Sequence, residues 1–228
     1  MATSGTKAFT LDLGEIIEDA YERAGLRLRS GEDYRTAIRS LNMLFVEWQN
    51  RGTNFWTVDE ESFSTVDGTI EYTLQSDIYE ISQFFVRTGS GTTQVDLPLT
   101  RMSLIEYTTV PNKNTPGRPV NVWVDKQQDS TLWRLWPRPN AVYTIVYFLL
   151  SRIEDAGAAA NVNPDVPYRF LPAVVAGLAL KIAQKNTESQ ALIPMLKAEY
   201  EEQWMDAVAG DRDRSSFRVR PALSYARP

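Results

Sequence analysis

The sequence predicts an α+β fold: a helical bundle built from N- and C-terminal helix pairs, an inserted antiparallel β-rich domain, and an extended C-terminal arm. Three observations carry this. Apolar residues recur at helical spacing over residues 10–55 and again over 164–208. Between them, over 56–153, the apolar period falls to two. Over 209–228 regular spacing gives way to arginines, prolines and isolated apolar residues, while residues 1–9 precede all patterning and predict a flexible N-terminus.

The first helix is read from LDLGEIIEDAYERAG (11–25). Leu13, Ile16, Ile17, Ala20, Tyr21 and Ala24 share a face, Asp12 and Glu15 suit a capping box, Leu11 can staple onto Ile16, and Gly25 marks the stop. A second helix is predicted from about Ser30 to Arg51, with Tyr34, Ala37, Ile38, Leu41, Leu44, Phe45 and Trp48 along its stripe and Gly52 after it. The two read as an antiparallel hairpin.

Strands follow. STVDGTIEYTL (64–74) places Asp67-Gly68 between two strand-like runs and predicts a β-hairpin. IYEISQFFVR (78–87) is the next strand, TGSGTTQ (88–94) a flexible loop, and Ser103 with Glu106 a capping box opening one or two helical turns. In PNKNTPGRP (111–119), Pro116-Gly117 suits a type II turn and Pro119 opens a strand or lies on an edge. VNVWVDK (120–126), TLWRLW (131–136) and AVYTIVYFLL (141–150) are three further strands, the last apolar on both faces as a central strand should be.

A loop at 154–167 leads to YRFLPAVVAGLALKIAQK (168–185). This helix is apolar nearly all round and therefore buried, with Pro172 in its first turn and Gly177 admitting a close neighbour. A last helix, about Glu188 to Ala209, carries Leu192, Met195, Leu196, Tyr200 and Trp204 at helical spacing. Beyond it lies GDRDRSSFRVRPALSYARP (210–228), whose five arginines against two aspartates give about +3, so the rest carries about −8 of the total −5. Too little apolar area is present there to fold alone, but enough to dock in extended form on a partner.

Composition narrows the chemistry. There is no cysteine and no histidine in the 228 residues, which removes disulfides, thiol nucleophiles, Fe–S clusters, histidine triads and most zinc, copper and haem sites. A sequence pI near 5.0 argues against a general grip on nucleic acid, and MATSGTKAFT lacks the basic and apolar segments of a signal peptide. No apolar run approaches a membrane span, and no cofactor is implied. Carboxylate pairs remain as general acids and bases, which leaves glycoside hydrolysis open. The clusters Asp59-Glu60-Glu61, Glu154-Asp155 and Glu201-Glu202 read better as solvated charge, because neighbours on a strand or helix diverge. Asp211 and Asp213 are opposed as cation ligands by Arg212 and Arg214, and TGSGTT lacks the lysine of a phosphate loop.

TLWRLWPRPN (131–140) places Trp133 and Leu135 on one strand face and Leu132, Arg134 and Trp136 on the other, with Pro137 and Pro139 ending the strand. Sheet packing or an interface is the reading preferred for both tryptophans; a sugar- or base-stacking platform is the alternative.

Taken together, Gly117-Arg118-Pro119, Trp136 to Pro139, the tyrosine-rich Tyr143 to Phe148, and Val166 leading into the helix up to Ala183 resemble the head-to-tail adaptors of short-tailed bacteriophages, the gatekeeper or tail tubular protein A type. The N-terminal pair, with LNMLFVEWQNRGTNFWTV, fits the same opening. The resemblance spans nearly all of residues 10–208 and carries no catalytic signature. It implies a structural virion protein rather than an enzyme, forming a homo-oligomeric ring, usually dodecameric, between the portal protein and the tail nozzle protein. The resemblance further implies that DNA passes through the lumen without specific binding, that no membrane is involved, and that the protein is assembled in the host cytoplasm into the virion neck.

C-terminal arms of such adaptors reach into the portal, which makes Arg212, Arg214, Phe217, Arg218, Val219, Arg220, Leu223 and Tyr225 the candidate portal-binding residues. Arg118, Trp133 and Trp136 are the candidate sheet or interface residues. Another tail-completion or baseplate component, or a glycan-binding or glycan-cleaving domain, are the alternatives.

Overall fold

The computed structural model describes residues 5–6, 9–52, 55–74, 78–127, 130–157 and 159–211. Its helices are α1 (Leu13–Arg23), α2 (Gly31–Asn50), α3 (Leu104–Thr109), α4 (Leu171–Ala183) and α5 (Ile193–Asp211). Its strands are β1 (Val58–Ser64), β2 (Glu71–Thr73), β3 (Ile78–Thr88), β4 (Val95–Pro98), β5 (Thr100–Met102), β6 (Pro116–Gly117), β7 (Asn121–Lys126), β8 (Thr131–Trp136), β9 (Arg138–Pro139) and β10 (Thr144–Ser151). The class is α+β.

Local chemistry sets the helix ends. Asp12 Oδ1 accepts the Glu15 N–H at 2.8 Å while Glu15 Oε2 accepts the Asp12 N–H at 3.1 Å, the reciprocal cap expected of those residues. At the other end of α1, Leu26 N–H donates to Tyr21 O and Gly25 N–H to Glu22 O, both at 2.9 Å, with Gly25 at φ +71°. This closure needs a left-handed residue, which glycine supplies without strain. Ser30 and Asp33 form a second capping box at the start of α2.

Residues of α1, α2, α4 and α5 share one buried cluster, together with Ile153 and Ala156 from the loop after β10. α1 and α2 are consecutive but touch each other little; both pack on α4, which packs in turn on α5. The hairpin expectation therefore fails in its contacts. α4 is apolar on every side and has to take neighbours on every side, so the earlier helices meet it before they meet each other. Gly177 is where the approach is closest: a Cβ there would lie 2.9 Å from Leu44 Cδ2 and 2.9 Å from Tyr200 Cε2. Both neighbours are buried and have nowhere to swing. Gly177→Val is expected to cost about 1–3 kcal/mol, read as a lower urea midpoint with unchanged m-value.

α5 begins later than its periodicity predicts. Thr187–Leu192 form a 3₁₀ stretch, and the helix proper starts at Ile193 and continues to Asp211. Its buried stripe is Leu196, Tyr200, Trp204 and Ala207. Met195 stands about 100° from Leu196 around the axis and is exposed, which corrects its place in the predicted stripe.

The strands form two four-stranded sheets, ordered β1-β10-β3-β4 and β2-β8-β7-β5, and one short pair, β6-β9. β10 is central and buried on both faces, as its run of apolar residues predicts. The sheets pack face to face over Ile81, Phe84, Val86, Ile145, Tyr147 and Leu149 from one side and Val122, Trp133 and Leu135 from the other. The sheets are antiparallel-rich, as expected, with two parallel pairings among them, β5 with β7 and β6 with β9. The chain crosses from one sheet to the other at Leu99, whose N–H bonds Phe84 O while Thr100 N–H bonds Val120 O. α3 and the segment after it then supply the long crossover that a parallel pair requires.

Two turn expectations are overturned. Asp67-Gly68 is no hairpin: β1 pairs with β10 and β2 with β8, so the turn carries the chain between sheets. Tyr72 Oη closes the turn locally, accepting the Val66 N–H at 3.0 Å and donating to Thr69 O at 3.1 Å, and Gly68 N–H donates to Pro139 O, a tertiary bond that ties the turn to β9. Pro116-Gly117 is no type II turn either, since Gly117 lacks the positive φ that turn requires and instead pairs with Pro139.

Candidate docking interface

Of the three sheet or interface residues singled out in the sequence, two come together. Trp136 is half-buried at the end of β8, its Nε1 donating to Asn112 O at 3.2 Å, and its carbonyl accepts the Val120 N–H. Arg118, in the adjoining segment, is exposed and in no ion pair among the described residues. Trp133 lies apart from both, 0% exposed between the sheets. Its ring meets Tyr147 at 4.6 Å and Phe84 at 5.0 Å, both edge-on, and Phe63 at 5.2 Å. No face of it is open to a sugar, a base or a partner. Arg212, Arg214, Phe217, Arg218, Val219, Arg220, Leu223 and Tyr225 lie outside the described residues, as does Asp213.

Sequence reading found α3 through its capping box but missed what the helix displays. Tyr107 stacks on Trp123 at 4.8 Å and 25°, the Arg134 guanidinium sits 4.7 Å from the Trp123 centroid, and Lys113 Nζ lies 5.4 Å from the Tyr107 ring. This series of cation and ring layers fixes α3 to the second sheet, and burial pushes the Tyr107 phenol above its ordinary value. Leu104 and Ile105 are left outward, Ile105 at 75% exposure. Together with Val142 and Tyr168 they are large apolar groups that nothing among the described residues covers.

The first sheet carries acidic charge along one border. Asp59, Glu60 and Glu61 are exposed on β1. Arg87 gathers Asp96, through two bonds of 2.8 Å, and Glu60, at 3.0 Å. The Arg87 hydrogen bonds hold the Asp96 carboxyl below the usual carboxylate range and raise the guanidinium's own affinity for its proton. Glu61 accepts from the Tyr147 hydroxyl at 2.7 Å; burial first, and that bond second, push the phenol well above its usual value.

Where the helices meet this sheet a groove of about 870 Å³ opens, with Val46, Trp56, Asp59, Ile153, Glu154 and Asp155 among its lining. Trp56 Nε1 donates to Asp165 O at 3.2 Å and the ring meets Phe170 at 4.8 Å, which ties the strand entry to the start of α4. The end of α5 is anchored beside it by an ion pair between Arg169 and Asp211. Among the described residues no group of acidic side chains has the arrangement of a metal site, and no helix is long and apolar enough to cross a membrane.

The geometry is that of a body with apolar and acidic surfaces. No curated protein matches the chain. The sequence pattern of the SU10 adaptor protein family matches residues 11–222, which takes in every helix and strand above and runs past α5. The chain belongs to the SU10 adaptor protein family, a family of phage head-to-tail adaptors.

Proposed function

We propose that this protein is a structural component of the virion neck that assembles as a ring of twelve copies, joins the portal to the tail nozzle, and forms part of the DNA channel. The family match over residues 11–222 is the observation that carries this reading. The match includes residues 212–222 of the basic segment after α5, so that part belongs with the adaptor pattern rather than being an appendage.

Physical arguments support the role. A closed ring needs two different faces that complement each other around a rotation axis. The outward Leu104 and Ile105 of α3 and the acidic β1 border are two such dissimilar surfaces. A net charge of −5 suits a conduit through which DNA slides, because a basic wall would bind phosphate and slow its passage. The arm then supplies the grip on the portal, with arginines and spaced apolar anchors that order on docking. On this reading the free chain is monomeric, assembles on the portal in the host cytoplasm, and remains in the virion.

Deleting residues 212–228 is expected to leave a cooperatively folded chain, less stable by no more than about 1.5 kcal/mol, while abolishing attachment to portal rings. Light scattering and negative-stain imaging of the mixture read both. A truncated chain that still formed rings on portals would remove the arm from the mechanism.

A further inference from the structure

β1 is the border strand of its sheet, paired to β10 and to nothing on its other side among the described residues. Seven residues of open edge present unused N–H and C=O groups in the geometry that an extended chain takes up. Open edges are protected by charged side chains, proline or a bulge; β1, VDEESFS, has no proline and pairs with β10 in unbroken register, and its charges are all of one sign, which repels acidic strands and admits a basic one. It carries three consecutive exposed carboxylates, and its N-terminal end opens into the groove lined by Val46, Trp56 and Asp155. Neither Asp59, Glu154 nor Asp155 is in an ion pair among the described residues.

The occupant that fits is in the same chain. Phe217, Arg218, Val219 and Arg220 alternate apolar and basic with the period of a strand, and the residues after Asp211 hold five arginines against one aspartate. The segment also starts in the right place. Asp211 is paired to Arg169, the next residue Phe170 meets Trp56 at 4.8 Å, and Trp56 lies two positions before β1. Seventeen residues reach up to about 56 Å when extended, and a seven-residue strand needs about 23 Å.

We infer that in the free protein the C-terminal segment folds back on its own body, adding Phe217 to Arg220 as a further strand on the open edge of β1. Its arginines lie on the face of Asp59 and Glu61, toward Glu154 and Asp155 of the groove, and its apolar side chains lie on the opposite face, that of Glu60 and its neighbour Phe148. Docking of the segment stands on the edge, the charges and the reach alone. Its consequence rests on the portal reading above: the portal has to draw the segment off β1, which withholds both the segment and the sheet edge from other copies until a portal is present.

The chain has no cysteine, so Ser224→Cys carries a single nitroxide tag without side reactions. In dilute, isotope-labelled full-length protein the tag is expected to broaden the amide signals of Val58–Ser64 and of residues 153–155, and to leave α1 unaffected. The Asp59→Lys/Glu60→Lys double variant is expected to lose that broadening. Its trypsin cleavage after Arg218 is expected to accelerate about tenfold, as for a segment released from a site occupied nine-tenths of the time, with an unchanged far-UV spectrum. In a mixture of tagged unlabelled chains with untagged labelled ones, no broadening is expected. Absence of broadening on β1 in the tagged chain overturns the inference, and broadening confined to the mixture overturns it by giving the site to a neighbour's segment. Portal attachment is not measured in any of these samples, so either failure leaves the adaptor reading standing on its own test.

Discussion

Trp48→Ala is expected to cost about 3–5 kcal/mol, the range for removing a large aromatic from a packed core. Its side chain is 0% exposed and stands where three elements converge: the ring meets Trp204 at 4.7 Å, Phe170 at 5.6 Å and Phe45 at 6.1 Å. Its Nε1 also donates to Tyr200 Oη at 2.9 Å, a bond between residues 152 positions apart. Truncation therefore opens a cavity and leaves a buried phenol without its donor. Burial already pushes that phenol above its usual value, so it stays neutral and cannot recover the loss by ionising. Trp48→Phe, which refills much of the space but not the bond, is expected to fall about 1–3 kcal/mol below the native chain, the cost of an orphaned buried group. Urea unfolding followed by far-UV circular dichroism measures both. Equal losses for the two variants would assign the site's stability to the hydrogen bond and not to packing.

Trp133→Ala is expected to be as costly, about 3–5 kcal/mol, but with the opposite response to phenylalanine. Tyr147, Phe84 and Phe63 surround the ring, so truncation empties the centre of the two-sheet core. Here the indole N–H is buried with no acceptor among the described residues, so no bond seen there is lost when it is replaced. Trp133→Phe removes a desolvated donor worth about 1–3 kcal/mol of penalty while leaving a smaller void, and is expected to retain most of the native stability. The same urea experiment reads it. A phenylalanine variant as unstable as the alanine one would show that the indole N–H is satisfied in solution after all.

Elements whose causes are local were legible in the sequence. Asp12 with Glu15 and Ser103 with Glu106 each sit within one turn, and both caps form as their spacing predicts. The buried helix around Gly177, the central strand β10 and the alternation of Trp133 and Leu135 against Arg134 follow from residue periodicity, and the α+β class follows from those elements. What failed depended on partners distant in the chain. Asp67-Gly68 has the chemistry of a hairpin turn, yet the strands on either side of it pair with β10 and β8, and Gly68 is bonded to Pro139. Met195 fits a helical stripe, but the face of α5 that α4 and α2 cover is narrow, centred on Leu196, Tyr200 and Trp204, and Met195 falls outside it. The candidate surfaces were the least legible part. The groove is made by residues from 42 to 165, and the outward display of Ile105 depends on a ring stack that no short-range pattern announces.

The helical core is closed by the two ends of the chain, with the sheets intervening in sequence. During synthesis α1 and α2 leave the ribosome with Leu13, Ile16, Leu41, Leu44 and Trp48 uncovered, and the helix they pack on has not yet been made. At about 5–20 residues per second that interval is on the order of ten seconds, long compared with hydrophobic collapse. The sheets, whose strands are contiguous from Val58 to Ser151, are free to form meanwhile and can serve as a platform from which α4 and α5 are delivered to the waiting pair. A nascent chain of this design offers chaperones their binding surface at its beginning, and a ribosome that stalls before Leu171 releases a product with a finished β half and a sticky N-terminus.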